Sequence, residues 1–383
     1  MTKSTPTSSS SSANMSSRLI SLPLFISVLI PVILATLVYQ LDSFDPATYP
    51  THVLSTEPPM VVAKRNNQML HGSEKIGVGR LLSPEDVAYD SESGVVYTGC
   101  VDGWVRKLKV IDSKVEDWVF TGGRPLGLAL GRHGEVIVAD ANKGLLLNVT
   151  SEGEIEVLTE EADGLKFKLA DAVDVAEDGI IYFSDASYKY KFDEYIYDFL
   201  EGRPYGRLLS YDPSTKMTKT LLGDLYFANG VAVSPDQNSV IFCETPLRKC
   251  KKYHLKGERK GSVDIFVENL PGFPDNIRYD GEGHYWIAFA SEKTYAWDLA
   301  QRYPFVRKIM AIIAKYVGQP HAEKNGGVLS VDLQGNPAEH YYDGDLTMVS
   351  SATKIGDHLY CGSVKSPYML RLNLKQNPAV QTS

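Results

Sequence analysis

Cysteine is scarce in this chain. Of 383 residues only four are cysteine, at positions 100, 243, 250 and 361, too few for a disulfide framework and at no spacing that suits zinc. Positive charge is in short supply as well: 39 Lys and Arg stand against 47 Asp and Glu, a formal charge of -8. That balance offers no general attraction for nucleic acid or an anionic membrane. The densest basic run, residues 248–260 (RKCKKYHLKGERK), reads as the solvated face of a hairpin, so no nucleic-acid partner is expected. Histidine pairs at metal spacing are missing. His254 falls on the charged hairpin, and His321 and His340 flank a long insertion, where solvated or loop positions are expected. Helical patterns between strands are also lacking, which excludes TIM barrels and doubly wound sheets.

Charge is absent altogether from residues 19–40, LISLPLFISVLIPVILATLVYQ. The stretch is long enough to span a bilayer, and Lys3 and Arg18 before it against Asp42 and Asp45 after it predict a body on the far side. It is read as a signal peptide or a type II membrane anchor, behind a Ser-rich disordered leader (1–18) and ahead of a linker and first strand region (41–74). The sequon Asn148-Val149-Thr150 fits N-glycosylation in such a lumen. Cys243 and Cys250 either bridge across the FCETPLRKC hairpin or stay independent thiols.

Repetition dominates the rest. SPEDVAYD (83–90), RPLGLALG (124–131), ADAVDVAEDG (170–179), ANGVAVSPD (228–236), PDNIRYDGEG (274–283) and, more weakly, VSSATKIGDH (349–358) share a polar or Gly/Pro start, alternating apolar positions and usually a turn. Strand-like runs such as VVYTG, EVIVAD, IIYFSD, SVIFCE, YWIAFA and HLYCGS follow. Units of about 45 residues holding three or four short strands are propeller blades. The body is therefore read as an all-β, six-bladed β-propeller over 75–375 with a short tail (376–383). Two insertions carry helical patterns: 193–202, and 294–318, where Trp297, Leu299, Tyr303, Phe305, Ile309, Ile312, Ile313 and Tyr316 form an apolar stripe apart from Arg302, Arg307, Lys308 and Lys315. That stripe suits a roof over one face, a substrate lid or a membrane contact.

Innermost strands run along a propeller's channel, so their first residues converge on one mouth. Glu85, Asp171, Asn229, Asp275 and Asn276 should ring it. Oxygens gathered from several blades suit a hard cation such as calcium; the bland reading is that they cap strands and hold water.

The pieces SPEDVAYD, GRPLGLAL, DVAEDGIIYFSDAS, GRLLSYDPSTK, FANGVAVSPD and PGFPDNIR together resemble the strictosidine synthase-like family, within the six-bladed group that includes paraoxonases and gluconolactonase-like lactonases. The resemblance implies calcium at the mouth, held here by Glu85, Asn229, Asp275 and Asn276. One further amide ligand of the calcium-dependent relatives falls on Ala170, where Asp171 or water would compensate. It implies hydrolysis of a small apolar or amphipathic lactone or ester. The histidine that paraoxonases use falls on Leu126, which carries no proton, so Asp171 is the expected general base. The glutamate of strictosidine synthase, needed to condense tryptamine with secologanin, falls on Ser350, so that reaction is not expected. The rival expectation is a non-catalytic small-molecule-binding or scaffold propeller. A plant vacuole or endoplasmic reticulum is the implied compartment.

Overall fold

In the computed structural model the described residues are 16–54, 57–150, 152–319 and 324–382; His321 and the leader before residue 16 lie outside them. Six sheets of at least four strands are arranged as blades; the first four are antiparallel meanders in chain order from the channel outward, and the last two begin the same way. Their innermost strands are Ala88–Asp90, Pro125–Leu130, Ala170–Val175, Ala228–Val233, Gly272–Tyr279 and Val349–Ile355. Each touches the next, and the sixth touches the first, so the ring closes. Apolar clusters fill every gap between neighbouring blades: Leu128 and Val138 with Tyr97 and Val105, for example, join the first and second. The six-bladed propeller expected from the repeats is therefore the fold.

Closure does not follow chain order. The outer strand of the sixth blade is Ser73–Ile76, paired antiparallel with Met369–Asn373. Lys64–Asn66 and Val380–Gln381 likewise extend the fifth blade beyond its own outer strand, so segments before the first repeat and after the last complete late blades.

The shorter insertion forms the helix Tyr195–Glu201. The longer one is two helices, Tyr295–Arg302 and Pro304–Tyr316. Thr294 starts the first of these, its Oγ1 accepting from Trp297 N at 3.2 Å. Proline opens the second, where its missing N–H is no loss. Aromatic contacts tie these helices to the channel mouth: Phe199 meets Phe227 at 4.7 Å between ring centroids, and Phe273 meets Trp297 at 5.6 Å.

Which side of the second helix faces inward departs from expectation. Phe305, Ile309, Ile313 and Tyr316 are exposed, whereas Arg307, Ala311 and Ala314 are buried. The guanidinium of Arg307 explains the reversal. Its Nε donates to Ala300 O at 2.8 Å and its Nη1 to Leu200 O and Glu201 O at 3.2 and 3.1 Å. Helix-end carbonyls thus answer a buried cation. The apolar stripe instead faces Val32, Ala35 and Tyr39 of the N-terminal helix Ser16–Leu41 across a groove. Among the described residues no helix is long and apolar enough to cross a membrane; the side chains of residues 16–26, part of the expected signal or anchor segment, lie outside the description.

Two further expectations change. The run 248–260 is not solvated throughout: Arg248 and Lys249 are buried, and Arg248 donates to Leu270 O. His340 is not a loop residue. It sits buried in the strand Pro337–Tyr342, stacked on Tyr342 at 4.8 Å, and burial pushes its pKa down to about 4.

Asp198, in the shorter roof helix, gives a prediction for stability. It is buried, its Oδ2 has no partner, and burial pushes its pKa up to about 8. A carboxyl whose folded pKa is raised contributes stability fully below its unfolded value near 4, and loses it as pH climbs toward 8, at up to about 1.4 kcal/mol per unit. Asp198→Asn should therefore raise the melting temperature at pH 8 by several degrees and leave it unchanged at pH 4, as followed by circular dichroism. Equal shifts at both pH values would contradict this protonation.

Candidate functional site

Four inner strands carry the same irregularity at the same point. Register shifts fall between Pro125 and Leu128, Ala170 and Val173, Ala228 and Val231, and Pro274 and Ile277. At each bulge an extra residue is accommodated and side chains are re-aimed. The pairs so displaced are Leu126-Gly127, Asp171-Ala172, Asn229-Gly230 and Asp275-Asn276. In the second and fourth blades the second residue is glycine for a steric reason. A Cβ on Gly127 would lie 2.3 Å from Asp171 O, and one on Gly230 would lie 2.4 Å from Asp275 O. Neighbouring blades meet backbone to backbone at the mouth, which only glycine permits there.

Glu85 comes from the head of the first blade, its N–H donating to Gly99 O at 3.0 Å. Ser350 and Ser351 both donate from Oγ to Glu85 O at 2.6 Å, fixing its backbone from the sixth blade. Its side chain turns into the mouth, where Asn276 Nδ2 donates to Glu85 Oε1 at 2.7 Å. Asn229 bonds Asp275. All four expected ligands are buried and brought together from the first, fourth and fifth blades. Burial first, and then the Asp275 charge, pushes Glu85 well up; burial and Asp171 do the same to Asp275; burial and Glu85 do the same to Asp171. A positive charge among them would relieve this repulsion.

Glu85 Oε2, Asn229 Oδ1 and Asn276 Oδ1 are buried without a hydrogen-bond partner. Carboxylate and amide oxygens left unanswered in one cluster are the donors a hard cation takes, and they fit calcium better than zinc. Among the described residues no group of three or more His, Cys, Asp or Glu is set to hold a metal, so the fit depends on the two amides.

Of the remaining expected positions, Ala170 packs into the core between the second and third blades with Phe183 and Leu209. Asp171 is the acidic residue of that bulge, and Leu126 joins Phe227 and Phe199 in an apolar cluster beneath the roof. Asn148 lies half-buried in the strand Leu145–Val149. Cys243 and Cys250 pair directly across their hairpin as a disulfide.

Three residues matter that sequence reasoning did not single out. Asp86, fully buried, and Arg278, largely so, form an ion pair below the mouth. Arg278 also donates to Leu128 O and Val173 O at 2.8 and 3.1 Å, and Asp86 accepts from Leu128 N at 2.8 Å. Blades one, two, three and five are thereby joined through the channel. The third is Arg124, buried beside Leu126. Its only signal in sequence is a charge inside the otherwise apolar RPLGLAL.

The strictosidine synthase family model matches residues 171–258, and a model for the N-terminal part of strictosidine synthase-like proteins matches residues 65–108. The chain is 54% identical over 361 residues to a strictosidine synthase-like protein of Arabidopsis thaliana, covering 93% of this chain and 96% of that protein. It is 33% identical to the adipocyte plasma membrane-associated protein of Bos taurus, covering 83% of this chain and 82% of that one. Among solved structures, a gluconolactonase of Xanthomonas campestris superposes with a TM-score of 0.58 at 14% identity, covering 87% of this chain and 99% of that one. A calcium-binding protein, regucalcin, of Agrobacterium tumefaciens does so with a TM-score of 0.57 at 15% identity, covering 82% and 95%. At such identities the likeness is one of fold.

Proposed function

The chain belongs to the strictosidine synthase-like family, and on that premise we propose that its mouth is a calcium-dependent site hydrolysing a small lactone or ester. The observation that carries this reading is the trio of unanswered oxygens, Glu85 Oε2, Asn229 Oδ1 and Asn276 Oδ1, in one buried cluster with Asp275. Glu85, Asn229, Asp275 and Asn276 would hold the ion. When bound, calcium supplies polarisation of the acyl carbonyl and a more acidic water. Asp171, its proton affinity raised by burial, takes the proton from the attacking water. The aromatic roof packed on Phe227 would keep bulk water from the mouth.

Ser350 spends its hydroxyl on Glu85 O, which supports a chain that does not run the condensation of strictosidine synthase. The second reading, a binding or scaffold propeller, draws on Leu126: packed in an apolar cluster, it offers no acid or base. The disulfide between Cys243 and Cys250 supports an oxidising compartment. With the uncharged segment 19–40, read as a signal peptide or anchor, it favours the lumen of the endoplasmic reticulum or vacuole.

Calorimetric titration with calcium tests the site. One saturable binding event is expected, weakened at least tenfold by Asp275→Ala, and with it turnover in a screen of lactones and esters. Asp171→Asn should abolish turnover while leaving calcium affinity nearly intact. Calcium binding without turnover would favour the second reading, and no binding by a folded protein would reject the metal site.

A further inference from the structure

Arg124 stands at the mouth with work undone. It is among the most buried side chains of the protein at 1% exposure, yet only Nη2 is engaged, donating to Ser83 O at 3.1 Å. Nε and Nη1 have no partner. Nearby acids do not hydrogen-bond to them: Asp140 Oδ1 accepts from the backbone N–H groups of Arg124 and Lys143 at 3.0 and 3.1 Å, Glu85 Oε1 is taken by Asn276, and Asp140 Oδ2 and Glu85 Oε2 are themselves without a partner. A buried guanidinium with idle donors is expensive unless something fills them.

Its surroundings indicate what that is. The guanidinium carbon lies 5.5 Å from the ring centroid of Phe192, in the roof insertion. Phe192 packs with Leu126, Phe227 and Phe199, so a cationic fork and an apolar wall adjoin. The guanidinium is also close enough for its charge to hold down the proton affinity of Glu85 and Asp171. A cation held by Glu85 and Asp275 would offset those ligands' charge, leaving the guanidinium free to face a ligand.

We propose that Arg124 anchors the carboxylate of an amphipathic ligand whose hydrocarbon lies against Leu126, Phe192 and Phe227. The proposal extends the hydrolytic reading by naming a ligand class. In lactone opening, water adds to the acyl carbon, the ring acyl–oxygen bond breaks, and a hydroxycarboxylate and a proton leave. The carboxylate so formed is what planar guanidinium donors match.

Full-length protein in calcium-containing buffer, titrated by calorimetry with hexanoate and with hexanamide, tests this without requiring turnover. Hexanoate should bind at least tenfold more tightly than hexanamide. Arg124→Met should erase that preference, and Arg124→Lys, which keeps the charge but loses the fork, should reduce it about threefold to tenfold. Equal binding of the two ligands by the unmodified protein, no binding of either, or a preference that survives Arg124→Met would overturn the anchor. Should Arg124→Met fail to fold by circular dichroism, the lysine variant and the selectivity of the unmodified protein decide. Hexanoate binding without turnover of any lactone or ester leaves the anchor standing and rejects the hydrolase; turnover without Arg124-dependent binding does the reverse.

Discussion

Asp86→Ala should destabilise the propeller by about 3–5 kcal/mol, the range for removing one partner of a buried ion pair. The carboxylate is fully buried and accepts from Val87 N and Leu128 N, both at 2.8 Å, as well as from Arg278. Without it, a guanidinium enclosed by four blades loses its hydrogen-bonded counter-charge, with only the more distant Asp174 and Glu85 left to offset it, and two backbone N–H groups lose their acceptor. Arg278→Met should be similarly damaging, since Asp86 then stays buried as an unpaired anion. Combining Asp86→Leu with Arg278→Met should recover much of the loss, because exchanging both charges for apolar groups of similar volume is often close to neutral. Urea unfolding of the three variants reads this directly, and a single-variant loss below about 1 kcal/mol would show the pair to be much better hydrated than its enclosure indicates.

Gly230→Ala is expected to damage stability and the mouth together. The added methyl would meet Asp275 O at 2.4 Å and Ile277 N at 2.7 Å, and both are backbone atoms with no rotamer to change. The fourth and fifth blades must part where Asn229 and Asp275 meet. Overpacking of this kind destabilises by about 1–3 kcal/mol, and calcium affinity should fall at least tenfold as oxygens from two blades separate. Gly223→Ala serves as the comparison, since nothing lies within 4 Å of a Cβ there. If Gly230→Ala matches it in melting temperature and calcium titration, blade contact at the mouth is looser than the inner strands indicate.

Much of the fold was legible because a blade is a local object. Polar start, alternation and turn lie within one unit, and six such units predict the ring. The gathering of these residues was legible for the same reason: Glu85, Asn229 and the pair Asp275-Asn276 occupy similar points of three units, and a ring brings similar points together. Partners chosen from elsewhere in the ring were not legible. Arg278 reads as an ordinary alternating strand residue after Ile277, and only closure carries its guanidinium across to Asp86, 192 residues away. Arg307 misleads for a related reason. A helical wheel places it with the polar face, whereas carbonyls ending two other helical segments make burial its better-satisfied state. The exposed Phe305 and Ile309 then follow, because the wheel tells which residues share a side and not which side is covered.

The pairing of Ser73–Ile76 with Met369–Asn373 has a consequence for biosynthesis. The early segment emerges from the ribosome almost a whole propeller before its partner, an interval of roughly 15–60 s at ordinary elongation rates. During it five blades can form in order, while the sixth has only its outer strand and the ring lacks its seam. An unsealed sheet edge is a template for foreign strands, so nascent chains depend on chaperones until the last blade is translated, and a late stop codon would be more harmful than its distance from the mouth suggests.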